Sequence, residues 1–88
     1  MVIKISNFGD ILMSRPAGRE AFLLAKAYIL KETKKNDEIT LDFDEVKVLA
    51  PSWADEFISG LKSEYSDALQ YINTENPSVN ASLKAVLE

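Results

Sequence analysis

Five carboxylates and a serine crowd one short stretch, LDFDEVKVLAPSWADEF, residues 41–57: Asp42, Asp44, Glu45, Asp55 and Glu56 surround Ser52. Paired carboxylates can hold Mg²⁺ with the help of water, or share acid–base work. Yet Asp44 and Glu45 read as a solvated turn, and no lysine or histidine is placed to support them. Clustered acids without a concave pocket mark a recognition surface more often than a reaction site. The expectation is therefore no catalytic residue, no metal and no cofactor. Ser52 precedes a helical pattern and reads as its N-cap, with Asp55 and Glu56 complementing the positive helix end. Phosphorylation there is the rival reading, since a helix N-terminus welcomes phosphate, but the two acids would repel it. The cap reading is the stronger. Trp53 stands four residues before Phe57 and suits an interface anchor or the core edge equally well.

A second cluster has the opposite sign. Arg15 and Arg19 open another helical pattern, where the helix dipole disfavours cations. They either reach solvent and nearby acids such as Asp10 and Glu20, or build an anion-binding site with the free amides of the first turn.

The elements that must hold these clusters follow from periodicity. VIKIS (2–6) alternates as a strand, NFGD offers a turn, and ILMS could return as the second arm of a hairpin. From Ser14 to about Lys34 the pattern is helical, with Ser14 as N-cap, Pro16 in the first turn, and Ala17, Ala21, Phe22, Ala25, Tyr28, Ile29 and Glu32 on one face. Lys31, Lys34 and Lys35 fall at its end, where the dipole favours cations. EITLDF (38–43) alternates strictly, and Pro51 closes the extended stretch that follows. A second helix carries Ala54, Phe57, Ile58, Leu61 and Tyr65 at three- and four-residue spacing, with Gly60 permitting a close approach to the sheet or another helix. ALQYINT (68–74) reads as the last strand, and Asn76–Pro77 start a third helix lined by Val79, Leu83, Val86 and Leu87. The order ββαβαβα predicts a small α/β sandwich: a mixed four-stranded sheet with three helices, right-handed crossovers and one antiparallel pair. Residues 38–43 and 68–74 should run parallel near its centre, with Phe22, Leu41, Phe43, Phe57, Leu61 and Leu83 buried.

Composition narrows the function. The 88 residues suit a single domain, with a net stability of roughly 4–13 kcal/mol. Cysteine and histidine are absent, which removes disulfides, thiolate metal sites and the commonest general base. Apolar runs are too short to cross a bilayer, and no charged-then-apolar leader opens the chain, so a cytoplasmic protein is expected. Residues 1–35 carry +4 and residues 36–88 carry −8, for a net charge of −4. A pI near 4.8 argues against a nucleic-acid partner, whose phosphates need a basic face. Opposite-sign halves suit charge-steered association with another protein or with a second copy.

The stretch LDFDEVKVL followed by SWADEF, together with SRPAGRE (14–20) and the asparagine-rich approach to the last helix, resembles the STAS-like domain of unknown function. That family is a distant relative of STAS domains, named for sulfate transporters and anti-sigma factor antagonists. The resemblance implies the α/β fold and a regulatory role in docking to a kinase-type ATPase or another regulatory factor. In anti-sigma factor antagonists an Asp-Ser-Ser-Gly turn before the second helix holds a phosphorylated serine. Here the counterparts are Ala50-Pro51-Ser52-Trp53, so the usual phosphoswitch is not carried over. The partner-binding surface is expected at the second helix's N-terminus, on Ser52, Trp53, Asp55 and Glu56; the alternative is a nucleotide- or anion-binding regulatory module using Arg15 and Arg19.

Overall fold

A computed structural model describes residues 1–34, 37–65 and 68–88. Five strands and three helices follow one another: β1 (Val2–Lys4), a 3-10 turn (Ile5–Phe8), β2 (Ile11–Leu12), α1 (Arg15–Tyr28), β3 (Ile39–Asp42), β4 (Val48–Leu49), α2 (Pro51–Glu64), β5 (Leu69–Ile72) and α3 (Pro77–Leu87). The strands form two sheets. One has the order β1-β3-β5, and the other pairs β2 with β4; every pairing is parallel.

This corrects the expected mixed four-stranded sheet. The anticipated hairpin does not form, because the Ile5–Phe8 turn and Gly9, at φ 131°, carry the chain past β1's edge into the second sheet. A short apolar stretch looks the same whichever neighbour it joins, so strand pairing was not readable from its pattern. The parallel pairing of β3 with β5 is as expected, with β3 central and β5 at the edge. Parallel neighbours require crossovers, and α1 and α2 lie within them.

Register explains the core. Ile3, Leu41 and Tyr71 align across the sheet, as do Ile39 and Leu69. Ile3, Ile39 and Leu41 are buried in one cluster with Phe22 and Ala25 of α1, Phe57 and Leu61 of α2, and Val79 and Leu83 of α3. The alternate row of Val2, Lys4, Gln70 and Ile72 is exposed, so all three helices lie on one face. All six expected core residues are buried. The outer edge of β4 meets α3 rather than a strand. The Leu49 N–H donates to Ser78 Oγ at 3.0 Å, and the Ser78 and Ser82 hydroxyls donate to the Leu49 carbonyl. A buried serine is thereby satisfied.

Helix boundaries reward local chemistry. Ser14 Oγ accepts from the Ala17 N–H, and Asn76 Oδ1 accepts from the Ser78 and Val79 N–H groups, so both expected caps are present. The Ser52 cap is not. Helix α2 begins at Pro51, its N-cap is Ala50, and no side chain caps it. Proline favours the first helical position because its missing N–H is one of the free donors there, and this moves the start one residue earlier. Asp55 and Glu56 consequently lie in the second turn. Helix α1 stops at Tyr28, where the Ile29 and Leu30 N–H groups both donate to the Ala25 carbonyl. Lys31 and Lys34 lie beyond the helix, while the Lys35 reading falls outside the described residues.

Candidate functional site

The two charged clusters read from the sequence meet each other. Helices α1 and α2 lie side by side, and their contacts advance in step. Arg15 Nη1 reaches Asp55 Oδ2 at 2.8 Å and Glu56 Oε2 at 2.9 Å; Arg19 reaches Glu56 at 3.7 Å; Lys26 reaches Glu64 at 2.6 Å. Hydrogen bonding from Arg15 holds the Asp55 carboxyl below the usual carboxylate range, with the Ser59 hydroxyl adding to it. An anion entering beside Arg15 would meet two carboxylates already bound there. Arg15 and Arg19, expected as an anion-binding module, thus form a clasp between the helices with Asp55 and Glu56, the two acids expected at the docking surface. The two clusters look independent in the sequence because Arg15 and Asp55 are 40 residues apart.

Close packing brings the clasp together. A Cβ on Gly18 would lie 2.5 Å from the Trp53 carbonyl oxygen, and one on Gly60 would lie 2.8 Å from the Phe22 ring. Gly60 thus permits the helix–helix approach that its position suggested. The Trp53 side is core: the residue is 3% exposed, and its ring stacks on Phe57 with centroids 5.0 Å apart. It is not a protruding interface anchor. Phe8 leans on both rings, at 6.2 and 5.3 Å. Ser52 is half-buried beside Arg15 and Asp55, in a shallow cleft that α3 closes with Ala85 and Val86.

The remaining acids disperse. Asp42 Oδ1 accepts from the Asn73 amide at 2.8 Å and the Asp44 N–H at 2.9 Å, and these bonds hold its carboxyl below the usual range. Glu45 pairs with Lys4 at 3.3 Å. Among the described residues no group of three or more His, Cys, Asp or Glu side chains could hold a metal ion.

What the sequence reading missed lies on the other side of α1. Arg15, Arg19 and Lys26, spaced by four and seven, all turn toward α2. The outward face keeps Ala17, Glu20, Leu23, Leu24, Ala27 and Tyr28, with Glu20 its single charge. Beside it, β2 and the residue after it expose Ile11 (61%) and Met13 (54%). Together they border a groove of about 370 Å³ lined by Phe8, Ile11, Met13, Ala17, Glu20 and Leu24, with Trp53 at its base. The spacing of the three cations was the available signal. Once they are assigned to one flank, the opposite flank is left with Glu20 as its single charge.

No helix among the described residues is long and apolar enough to cross a membrane. No curated protein and no solved structure matches the chain. Residues 26–79, which span β3, β4, α2 and β5, match the family described as the STAS-like domain of unknown function, and with well over half of its length in that match the chain belongs to this family.

Proposed function

We propose that the protein is a non-catalytic regulatory domain that works by docking to another protein, and that its docking surface is the outward face of α1 with the groove against β2. The observation that carries this reading is the meeting of exposed Ile11, Met13 and Leu24 at one groove, continued along α1 by exposed Leu23 and Tyr28. Soluble monomers seldom leave contiguous apolar patches beyond a few hundred Å² uncovered. Glu20 is the single titratable side chain lining the groove, whereas turnover needs convergent acid, base or nucleophilic groups. That favours binding. Membership of a STAS-like family supports a regulatory partner such as a kinase-type ATPase. With Asp55 and Glu56 engaged by Arg15, the docking surface is centred on α1 rather than on the α2 N-terminus.

A photo-cross-linking residue placed at Met13 in the full chain, in its own cells, tests the reading. The expected result is an adduct with one different protein, identified by mass spectrometry. The adduct should vanish on Leu24→Glu and be absent when the cross-linker stands at Gln70 on the opposite sheet face. No adduct with another protein, or one that Leu24→Glu leaves unchanged, rejects it.

A further inference from the structure

We infer that a second copy of this chain occupies the outward face of α1, related by a two-fold axis that sets each helix against the other's groove. The inference rests on reading α1 as a docking surface, and it names the occupant. Glu20, Leu24 and Tyr28 lie at four-residue spacing and form one ridge of the helix, the kind that interdigitates with an identical ridge when two helices cross. An antiparallel crossing centred near Leu24 places Tyr28 of each copy opposite Glu20 of the other.

Each partner supplies what the other lacks. Tyr28 is 77% exposed, the most exposed large apolar side chain of the described residues. The groove beside Glu20 offers apolar walls from Ile11, Met13 and Ala17, the Asn7 amide and one carboxylate. A tyrosine has that composition, an apolar ring with a hydroxyl donor at its tip. Glu20 takes part in no ion pair or hydrogen bond among the described residues, so its oxygens are available to accept from the phenol. The contact is isologous: two rings enter two grooves, and the seam closes at two copies.

Charge favours the same occupant. The three cations of α1 are tied to α2, so two α1 helices can meet without bringing free cations together. The antiparallel arrangement keeps the two Glu20 carboxylates on opposite sides of the axis. A helix of 14 residues is about 21 Å long, enough to carry the ridge from Glu20 to Tyr28 through one seam. A regulatory partner using this groove must displace the second copy, so self-association would gate access.

Sedimentation equilibrium of the full chain over a range of concentrations tests this. The expected result is a reversible dimer, with Tyr28→Ala and Leu24→Glu each weakening the dimer Kd on the order of tenfold or more while circular dichroism stays native. Tyr28→Phe should weaken it less, since it loses the hydroxyl and keeps the ring. The native chain has no cysteine, so Leu24→Cys should give a disulfide-linked dimer on mild oxidation and Gln70→Cys should not. A mass of one chain at every concentration up to about 1 mM, or a dimer that both Tyr28→Ala and Leu24→Glu leave intact, overturns the inference. A monomer that still gives the Met13 adduct with another protein overturns it and leaves the docking reading standing. A Tyr28-dependent dimer without any such adduct supports it and removes the docking reading.

Discussion

The two faces of α1 are built from nearly the same residues and have opposite fates. Toward α2 and the sheet stand Gly18, Ala21, Phe22 and Ala25, all buried; toward solvent stand Ala17, Glu20, Leu23, Leu24, Ala27 and Tyr28, all exposed. Hydrophobicity does not separate them. The glycines and cations do. Gly18 and Gly60 let the backbones approach, and Arg15, Arg19 and Lys26 along the seam find acids waiting on α2. A buried face is thus one that a neighbour is shaped to meet, and the outward face has the composition of such a surface without its neighbour.

The sharpest way to break this comparison is to truncate the inward side. Phe57→Ala removes a fully buried ring that contacts Phe8, Phe22 and Trp53, and should cost about 3–5 kcal/mol, read by urea unfolding. Leu24→Ala on the outward side, measured at dilutions where single chains prevail, should stay within roughly 0.5 kcal/mol. Comparable losses at both positions would mean that the outward face is packed within the monomer.

Adding a methyl group tests the close approach. Gly18→Ala gains about 1 kcal/mol in helix propensity but drives its Cβ into the Trp53 backbone, which cannot rotate away. The net expectation is a loss of about 1–3 kcal/mol, with a blue or red shift of the Trp53 fluorescence as the helices part. A stabilised Gly18→Ala variant would show that the seam is looser than 2.5 Å implies. Gly60→Ala should cost less, because its Cβ meets the Phe22 side chain instead of backbone.

Much of this was legible in the sequence, and the failures share a cause. Asn76–Pro77 and Ser14 are local signals, and their helices start where those residues say. Pro51 carries the same signal as Pro77, and α2 starts at it, one residue before the Ser52 that looks like a cap. Ala17 and Tyr28, expected on the inner face of α1, stand instead on its exposed side, because an alanine or a tyrosine suits either side of a helix. The pairing of β1 with β3, and of Arg15 with Asp55, joins residues some 40 positions apart, which no short window contains. The candidate site suffered most, since each charged cluster looked free until the other was placed beside it.

The caps offer a smaller contrast. Asn76→Ala should cost about 1 kcal/mol, because two amides of α3 lose their acceptor. Ser52→Ala should change stability by no more than roughly 0.5 kcal/mol, since α2 is capped at Ala50 and Ser52 is already inside the helix. Thermal unfolding of both variants decides this, and equal losses would restore Ser52 as the cap.

The smallest effect belongs to the clasp that divides the two faces of α1. Arg15 holds Asp55 below its ordinary pKa of 3.8 in the folded chain, while the unfolded chain keeps the ordinary value. A carboxyl depressed by folding releases its proton more readily in the native state. Its contribution is therefore complete above pH 3.8 and is lost as pH falls through the lower folded value. Asp42, depressed by Asn73 and the Asp44 amide, acts in the same direction over the same window. Acidification below pH 3.8 should thus lower the urea midpoint of the parent chain more than that of Asp55→Asn, whose side chain does not titrate. Arg15→Gln should flatten the curve in the same way, because it removes the cause of the shift. Solvent and salt screen so exposed a pair, so the difference should shrink as ionic strength rises. Midpoints for the three chains between about pH 5 and pH 2 at two salt concentrations settle the matter. Curves that stay parallel would mean that the clasp contributes nothing to the fold, leaving the glycine contacts and Phe57 to hold α1 on α2.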